Sequence, residues 1–120
     1  MTPFKFKSKR RKTWFIDLDG TILRYNLLKS AVCKDKLLPG VKEFWDTIPK
    51  KDHIVLITAR PKYLKKHTIR FLEKHGIRYD DILFDLPNGE RILINDDKPN
   101  GTEMSFVWRV KRNEGFSNEN

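Results

Sequence analysis

The segment HIVLITA, residues 53–59, is apolar on both of the faces that an extended chain presents. Side chains alternate between the two faces of a strand, so other elements have to cover this strand on both sides. Strands of this kind are typical of parallel sheets that carry helices on their faces. The segment therefore predicts a central strand of an α/β domain and argues against an antiparallel sheet with one solvated face.

Two amphipathic segments flank this strand along the chain. PGVKEFWDTI, residues 39–48, spaces its apolar side chains along one face of a helix, and a proline follows it. PKYLKKHTIRFLEKHG, residues 61–76, begins with proline and ends with glycine, which are common helix start and stop signals. Four further segments have the composition of strands: KTWFIDL, DILF, RILIN and MSFVWRV. This order predicts a doubly wound three-layer sandwich with a mostly parallel central sheet.

A chain of 120 residues suffices for one compact domain. We expect a basic N-terminal extension over residues 1–12, the folded domain over residues 13–112 and a polar C-terminal tail over residues 113–120. Since no apolar run approaches the length of a membrane span, we expect a cytoplasmic protein without membrane contact.

The chain carries a formal net charge of +9, and its first dozen residues hold many of the basic side chains and no acid. This excess predicts an anionic partner, and nucleic acid is one candidate for contact with the basic N-terminus. A solvated basic tail is the alternative interpretation. Phe4 and Phe6, which alternate with lysines, favour contact through stacking or through packing on the domain.

The strand-like segment WFIDLDGT, residues 14–21, ends in Asp17 and Asp19, which point to the same face. Two carboxylates held so close are compatible if one is protonated or if a cation lies between them. Ligands of parallel sheets bind at the carboxyl ends of the strands, where we also expect Thr58 and residues 95–97. A set of carboxylate oxygens from separate strands predicts a site for Mg²⁺.

The motif DLDGT, the apolar run that ends in Thr58, and NDD at residues 95–97 resemble the haloacid dehalogenase superfamily of phosphohydrolases. The motifs span the chain from Asp17 to Asp97. The resemblance implies a small phosphatase that hydrolyses phosphomonoesters through an aspartyl-phosphate intermediate, with Mg²⁺ as cofactor. Asp17 would be the nucleophile, and Asp19 would protonate the leaving oxygen and then activate water.

The resemblance also implies a phosphate-binding set and a metal-binding set. Residues that would bind phosphate are Gly20, Thr21, Thr58, Ala59 and Arg60. Residues that would hold the metal are Asp17, Asp19, Asp96 and Asp97.

One element of the resemblance, a basic residue that contacts both nucleophile and phosphate, has two candidates in this chain. They are Arg91 and Lys98. We prefer Lys98, because Arg91 would lie at the wrong end of its strand if the strand runs in full toward the site.

The stretches over residues 22–52 and 61–91 leave no room for a cap domain over the site. An open site suits a nucleic-acid or nucleotide phosphate end, or a sugar phosphate if a neighbouring subunit of a homo-oligomer supplies the lid. Two alternatives stay open. One is a receiver-like signalling domain that is phosphorylated on Asp85, and the other is a nucleic-acid-binding domain without catalytic activity.

Overall fold

The structure, a computed structural model, describes residues 2–25 and 35–116. Residues 26–34, within the stretch in which no cap is expected, and residues 117–120 of the predicted tail lie outside the described residues. In chain order the elements are β1 (Thr13–Asp17), α1 (Val41–Thr47), β2 (His53–Ile57), a 3-10 turn (Lys62–Leu64), α2 (Lys65–Lys74) and β3 (Asp81–Leu83).

The described strands form one three-stranded parallel sheet in the order β1-β2-β3. Thr13 lies beside His53 and Asp17 beside Ile57, while Ile57 is also the register partner of Leu83. Parallel neighbours require crossover connections, and α1 and α2 lie within the two connections. The carboxyl ends of all three strands therefore lie at one edge of the sheet.

The core is built around β2, as the sequence predicts. Ile54 and Leu56 are fully buried, and Val55, which points to the other face, is also buried. From the helices, Phe44 and Leu72 join the same apolar cluster. The prediction that residues 53–59 contain a strand covered on both faces is confirmed, and so are the two helices.

The segments RILIN and MSFVWRV, predicted as strands, are not paired in the described sheet. Residues 92–94 are exposed, although they are apolar. In residues 104–110, Trp108 and Val110 pack against the core without strand pairing. Strand propensity reflects how well side chains fit a half-buried sheet, and in the part of the chain that the structure describes neither segment has a strand beside it to pair with. The structure confirms a small α/β fold with a parallel sheet, whereas the doubly wound three-layer sandwich stays a prediction.

Candidate functional site

A tight turn after β1 presents the two acids that the sequence singles out. The carbonyl oxygen of Leu18 accepts backbone N–H groups from Thr21, Ile22 and Leu23, at 3.2, 3.0 and 2.9 Å. Leu18 itself is fully buried, and Gly20 adopts a φ of +89°, which residues with a side chain rarely adopt. The turn is thus fixed by the buried side chain, by the backbone bonds and by glycine.

The N–H groups of Gly20 and Thr21 are engaged inside this turn. Gly20 donates to the carbonyl of Leu23 at 2.7 Å, and Thr21 donates to that of Leu18. The sequence predicts that these residues bind phosphate, and the structure gives their backbone donors an internal role. The hydroxyl of Thr21 contacts the site instead, since it donates to Asp17.

The Asp17 carboxylate is held from two sides and stays accessible to solvent. Thr21 Oγ1 donates to its Oδ2 at 3.1 Å, and Arg91 Nη1 lies 2.9 Å from its Oδ1. The side chains of Asp17 and Arg91 are 31% and 40% exposed. A ligand can therefore reach both the carboxylate and the guanidinium that accompanies it.

Asp19 has a separate cationic partner. Arg60 donates to it in a forked arrangement, with Nη2 at 2.9 Å from Oδ1 and Nε at 3.1 Å from Oδ2. Forked guanidinium–carboxylate pairs fix geometry as well as charge. The two neighbouring acids are therefore compatible in this structure because each has its own guanidinium, Arg91 for Asp17 and Arg60 for Asp19.

Arg60 also joins Asp19 to a second carboxylate. Its Nη2 lies 2.7 Å from Asp35 Oδ1, and its Nη1 donates to Asp35 Oδ2 and to the buried hydroxyl of Thr68. His67 Nε2 lies 3.2 Å from Asp35 Oδ2. Burial lowers the pKa of Arg60, but hydrogen bonds and Coulombic attraction from the two aspartates outweigh it and raise the pKa above its ordinary value. The Arg60 side chain is 9% exposed, so it is a buried, fully charged positioning group.

Thr58 follows β2 and is buried. Its Oγ1 accepts the N–H of Arg60 at 3.0 Å, and its own N–H donates to the carbonyl of Leu83. The threonine thus shapes the turn that carries Ala59 and Arg60 and ties that turn to the end of β3. Predicted phosphate contact by Thr58 and Ala59 stays a prediction.

Asp96 and Asp97 are exposed in a segment without regular secondary structure. Asp97 Oδ1 accepts the N–H of Met104 at 3.3 Å. Within residues 2–25 and 35–116 there is no group of three or more His, Cys, Asp or Glu side chains arranged to hold a metal ion. As arranged, the four predicted metal ligands do not form a common cage, and guanidinium groups already pair with Asp17 and Asp19.

The two candidates for the basic residue are placed differently. Arg91 contacts Asp17, whereas Lys98 lines a cleft with Lys7 and Arg10. The preference for Lys98 assumed that residues 91–95 form a strand that runs toward the site. Because these residues form no strand in the structure, that objection to Arg91 does not apply, and the geometry favours Arg91.

Sequence reasoning missed the roles of Asp35, His67 and Thr68. Thr68 lies within the helix predicted over residues 61–76, but nothing in the spacing shows that a buried arginine is its partner. Asp35 lies between β1 and α1 in a stretch of the sequence that carries no motif. The one available signal is Arg60 itself, because an arginine buried at a strand end requires carboxylate partners.

Asp85, the phosphorylation site in the receiver-like alternative, lies two residues past β3. It adopts a φ of 60°, and its Oδ1 accepts the N–H of Lys62 at 3.2 Å.

Among the described helices, none is both long and apolar enough to cross a bilayer.

Comparison with known proteins gives one informative similarity. No protein-family model and no curated protein matches the chain. Among solved structures, a chain in the structure of the Pnkp1/Rnl/Hen1 RNA repair complex is similar, with 26% sequence identity and a TM-score of 0.54. The similarity covers 75% of this chain and 30% of that chain, so this chain spans less than a third of its neighbour's length.

Proposed function

We propose that the chain is a phosphomonoester hydrolase that removes phosphate from nucleic-acid ends, with Asp17 as nucleophile. The observation that carries this proposal is the accessible Asp17 carboxylate, which Thr21 and Arg91 orient at the carboxyl end of β1. Carboxylates serve as nucleophiles in phosphoryl transfer when their environment positions them. The site supplies this positioning from two independent donors.

The reaction has two balanced steps. Asp19 first takes up a proton from solvent. A carboxylate oxygen of Asp17 then bonds to phosphorus as the ester P–O bond breaks, and the leaving oxygen takes that proton from Asp19. Asp19 then takes a proton from a water molecule, whose oxygen bonds to phosphorus as the aspartyl P–O bond breaks. Inorganic phosphate leaves, Asp19 releases its proton to solvent, and both carboxylates return to their starting state.

Arg60 and Arg91 have different parts in this proposal. Arg60 holds Asp19 in one orientation by its forked contact, which keeps the acid–base group beside the nucleophile. Arg91 uses one nitrogen on Asp17, and a guanidinium has five N–H donors, so further donors can bind the phosphoryl oxygens. Charge that develops on those oxygens would be stabilised by a preorganised cation.

Magnesium remains part of the proposal as the cation expected for such a reaction. Mg²⁺ binds through one or two carboxylates together with substrate phosphate and water, and so does not require a complete protein cage. Asp17, Asp19, Asp96 and Asp97 are its candidate ligands. Mg²⁺ bound there would neutralise the carboxylates and the charge on the phosphoryl group, and we expect phosphate release to require it.

Nucleic acid is favoured over a sugar phosphate by two observations. The chain has a formal net charge of +9, which suits a polyanionic substrate. The similar solved chain belongs to a complex whose name describes RNA repair. RNA repair involves work on RNA ends, and a phosphatase of such ends fits that setting.

The proposal is tested by measuring inorganic phosphate released from 3′- and 5′-phosphorylated oligonucleotides and from sugar phosphates, with and without Mg²⁺. Wild-type protein is expected to turn over an oligonucleotide end fastest, and Asp17→Asn is expected to abolish release. Asp85→Asn is the matched control, because it removes another acid just past a strand of the same sheet, and its rate should be unchanged. Preference for a sugar phosphate would contradict the substrate class, and turnover by Asp17→Asn would contradict the mechanism.

A further inference from the structure

In the N-terminal segment aromatic and basic side chains alternate, and the aromatic ones are the more buried. Phe4 and Phe6 are partly buried, while Lys5, Lys7 and Lys9 are exposed. In an extended stretch successive side chains point to opposite faces, so side chains that share a face lie roughly 6.6 Å apart. This segment, residues 2–12, is called the basic strap here, and it presents a row of lysines to solvent.

Aromatic contacts anchor the strap to the body of the protein. The rings of Phe4 and Phe6 lie 5.1 and 5.2 Å from that of Phe106, and Phe6 meets Trp14 of β1 edge-to-face at 6.2 Å. Pairs with this spacing are favourable beyond the area that they bury. The strap is therefore held by its inward face, which leaves the cationic face free for a ligand.

Polar contacts hold the second half of the strap. Lys51 Nζ donates to the carbonyl of Lys9 at 2.8 Å, and Arg11 Nε donates to the carbonyl of Lys51. Lys12 Nζ donates to the carbonyls of Ser8 and Arg10, both at 3.0 Å. In these bonds cationic side chains donate to backbone carbonyls, which fixes the path of the chain on both sides of the exposed Arg10.

An open cleft of about 480 Å³ lies where the strap meets residues 98–104. Its polar lining comes from Lys7, Ser8, Arg10, Lys98, Asn100 and Thr102. The loop is shaped by its own backbone, since Lys98 N–H donates to Thr102 and Gly101 N–H donates to Lys98. No acidic side chain among the described residues lines the cleft, so three cations and several neutral donors face a shared space.

We propose that the basic strap and this cleft bind the phosphodiester backbone of single-stranded nucleic acid. Lys7, Arg10 and Lys98 line the cleft, while Lys5 and Lys9 are exposed elsewhere along the strap. Cations spread over both the strap and the cleft suit a chain of phosphates better than a single phosphate group. Proteins that bind single strands combine such a groove with aromatic side chains, and Phe106 beside the strap is 39% exposed. The inference names the substrate class of the proposed phosphatase, and it rests on that function for its biological role.

Binding is measured by fluorescence anisotropy with a short single-stranded RNA that is labelled and lacks terminal phosphate. Lys7→Gln/Arg10→Gln removes two cations from the cleft, and Lys65→Gln/Lys66→Gln removes two exposed cations from α2 as a matched control. The cleft variant should bind more weakly. Because each single-strand phosphate contact contributes about 0.7 to the slope of log affinity against log salt, its slope should fall by about 1.4. The control should keep the wild-type slope.

Three results would overturn the inference. The first is an equal loss of affinity in both variants, which would indicate that the overall charge and not the cleft binds the RNA. The second is binding of polyglutamate as tight as that of RNA. The third is no binding of RNA by the wild-type protein. The probe carries no phosphomonoester, so its binding does not depend on hydrolysis. Binding without phosphate release would therefore defeat the phosphatase alone, and phosphate release from oligonucleotides without a change of slope in the cleft variant would defeat this inference alone.

Discussion

At the scale of single residues, Arg60 determines how Asp19 is presented. A buried guanidinium is costly unless carboxylates compensate for it, and Asp19 and Asp35 do so from neighbouring positions. The sequence predicted Arg60 only as a phosphate-binding residue. Arg60 also links Asp19 to Asp35. Both aspartates are far from Arg60 in the sequence, so no local pattern shows these contacts.

Replacing Arg60 with glutamine should lower the free energy of unfolding by roughly 3 kcal/mol, because two carboxylates lose the cation between them. Urea denaturation measures this loss. Arg70→Gln, an exposed arginine on α2, is the control and should change stability by less than about 0.5 kcal/mol. A loss no larger than that of the control would show that the Arg60 contacts do not stabilise the fold.

Arg91 should bind the transferring phosphoryl group as well as Asp17. Arg91→Gln is expected to lower kcat/KM by about 100-fold, the scale of losing one preorganised donor group. Arg91→Lys should recover part of this loss, since it restores the charge but not the fork. Steady-state kinetics on a phosphorylated oligonucleotide measure both, with exposed Arg109→Gln as control. If Lys98→Gln is severely impaired while Arg91→Gln is not, Lys98 completes the site.

At the scale of elements, the sequence predicts the core strands and helices and fails where pairing depends on distant partners. The run of residues 53–59 is apolar on both faces, so its strand and its burial follow from local pattern alone. RILIN has similar composition, but residues 92–94 stay exposed and unpaired. The sequence pattern indicates that a segment is able to form a strand, and the presence of a neighbouring strand determines whether it does.

Exposure of residues 92–94 can be tested directly. Ile92→Ser and Ile94→Ser should each change the free energy of unfolding by less than about 0.5 kcal/mol, because both side chains already face solvent. Leu56→Ala, in the core strand β2, should cost about 2–5 kcal/mol. Calorimetry or urea denaturation measures both. If Ile92→Ser and Ile94→Ser lower the free energy of unfolding nearly as much as Leu56→Ala, the predicted strand RILIN forms and is covered.

The start of α1 depends on a glycine. Gly40 has a φ of +75°, and a Cβ added there would lie 1.9 Å from the carbonyl oxygen of Phe116. Gly40→Ala should therefore lower the free energy of unfolding by more than about 1 kcal/mol, since it adds strain and displaces the segment that covers α1. Gly89→Ala is the control, because nothing lies within 4 Å of a Cβ at Gly89. Equal stability of the two variants would contradict the close packing of Phe116 on α1.

At the scale of the whole molecule, the fold brings charged side chains from separate parts of the sequence together. The parallel sheet brings the turn after β1 and the turn after β2 to one edge, where Asp17, Asp19 and Arg60 meet. Sequence motifs predicted this meeting because the carboxyl ends of parallel strands share an edge. The sequence left open whether Phe4 and Phe6 stack on a ligand or pack on the domain, and it did not identify Phe106, far along the chain, as their partner.

In the proposed mechanism, Asp17 carries the phosphoryl group during turnover. This is tested most directly by quenching the wild-type reaction on a phosphorylated oligonucleotide with acid and mapping phosphorylated peptides by mass spectrometry. One phosphorylated site is expected, at Asp17, and the Asp17→Asn variant should carry none. A phosphoryl group on Asp85, or turnover without any phosphorylated protein, would contradict the mechanism.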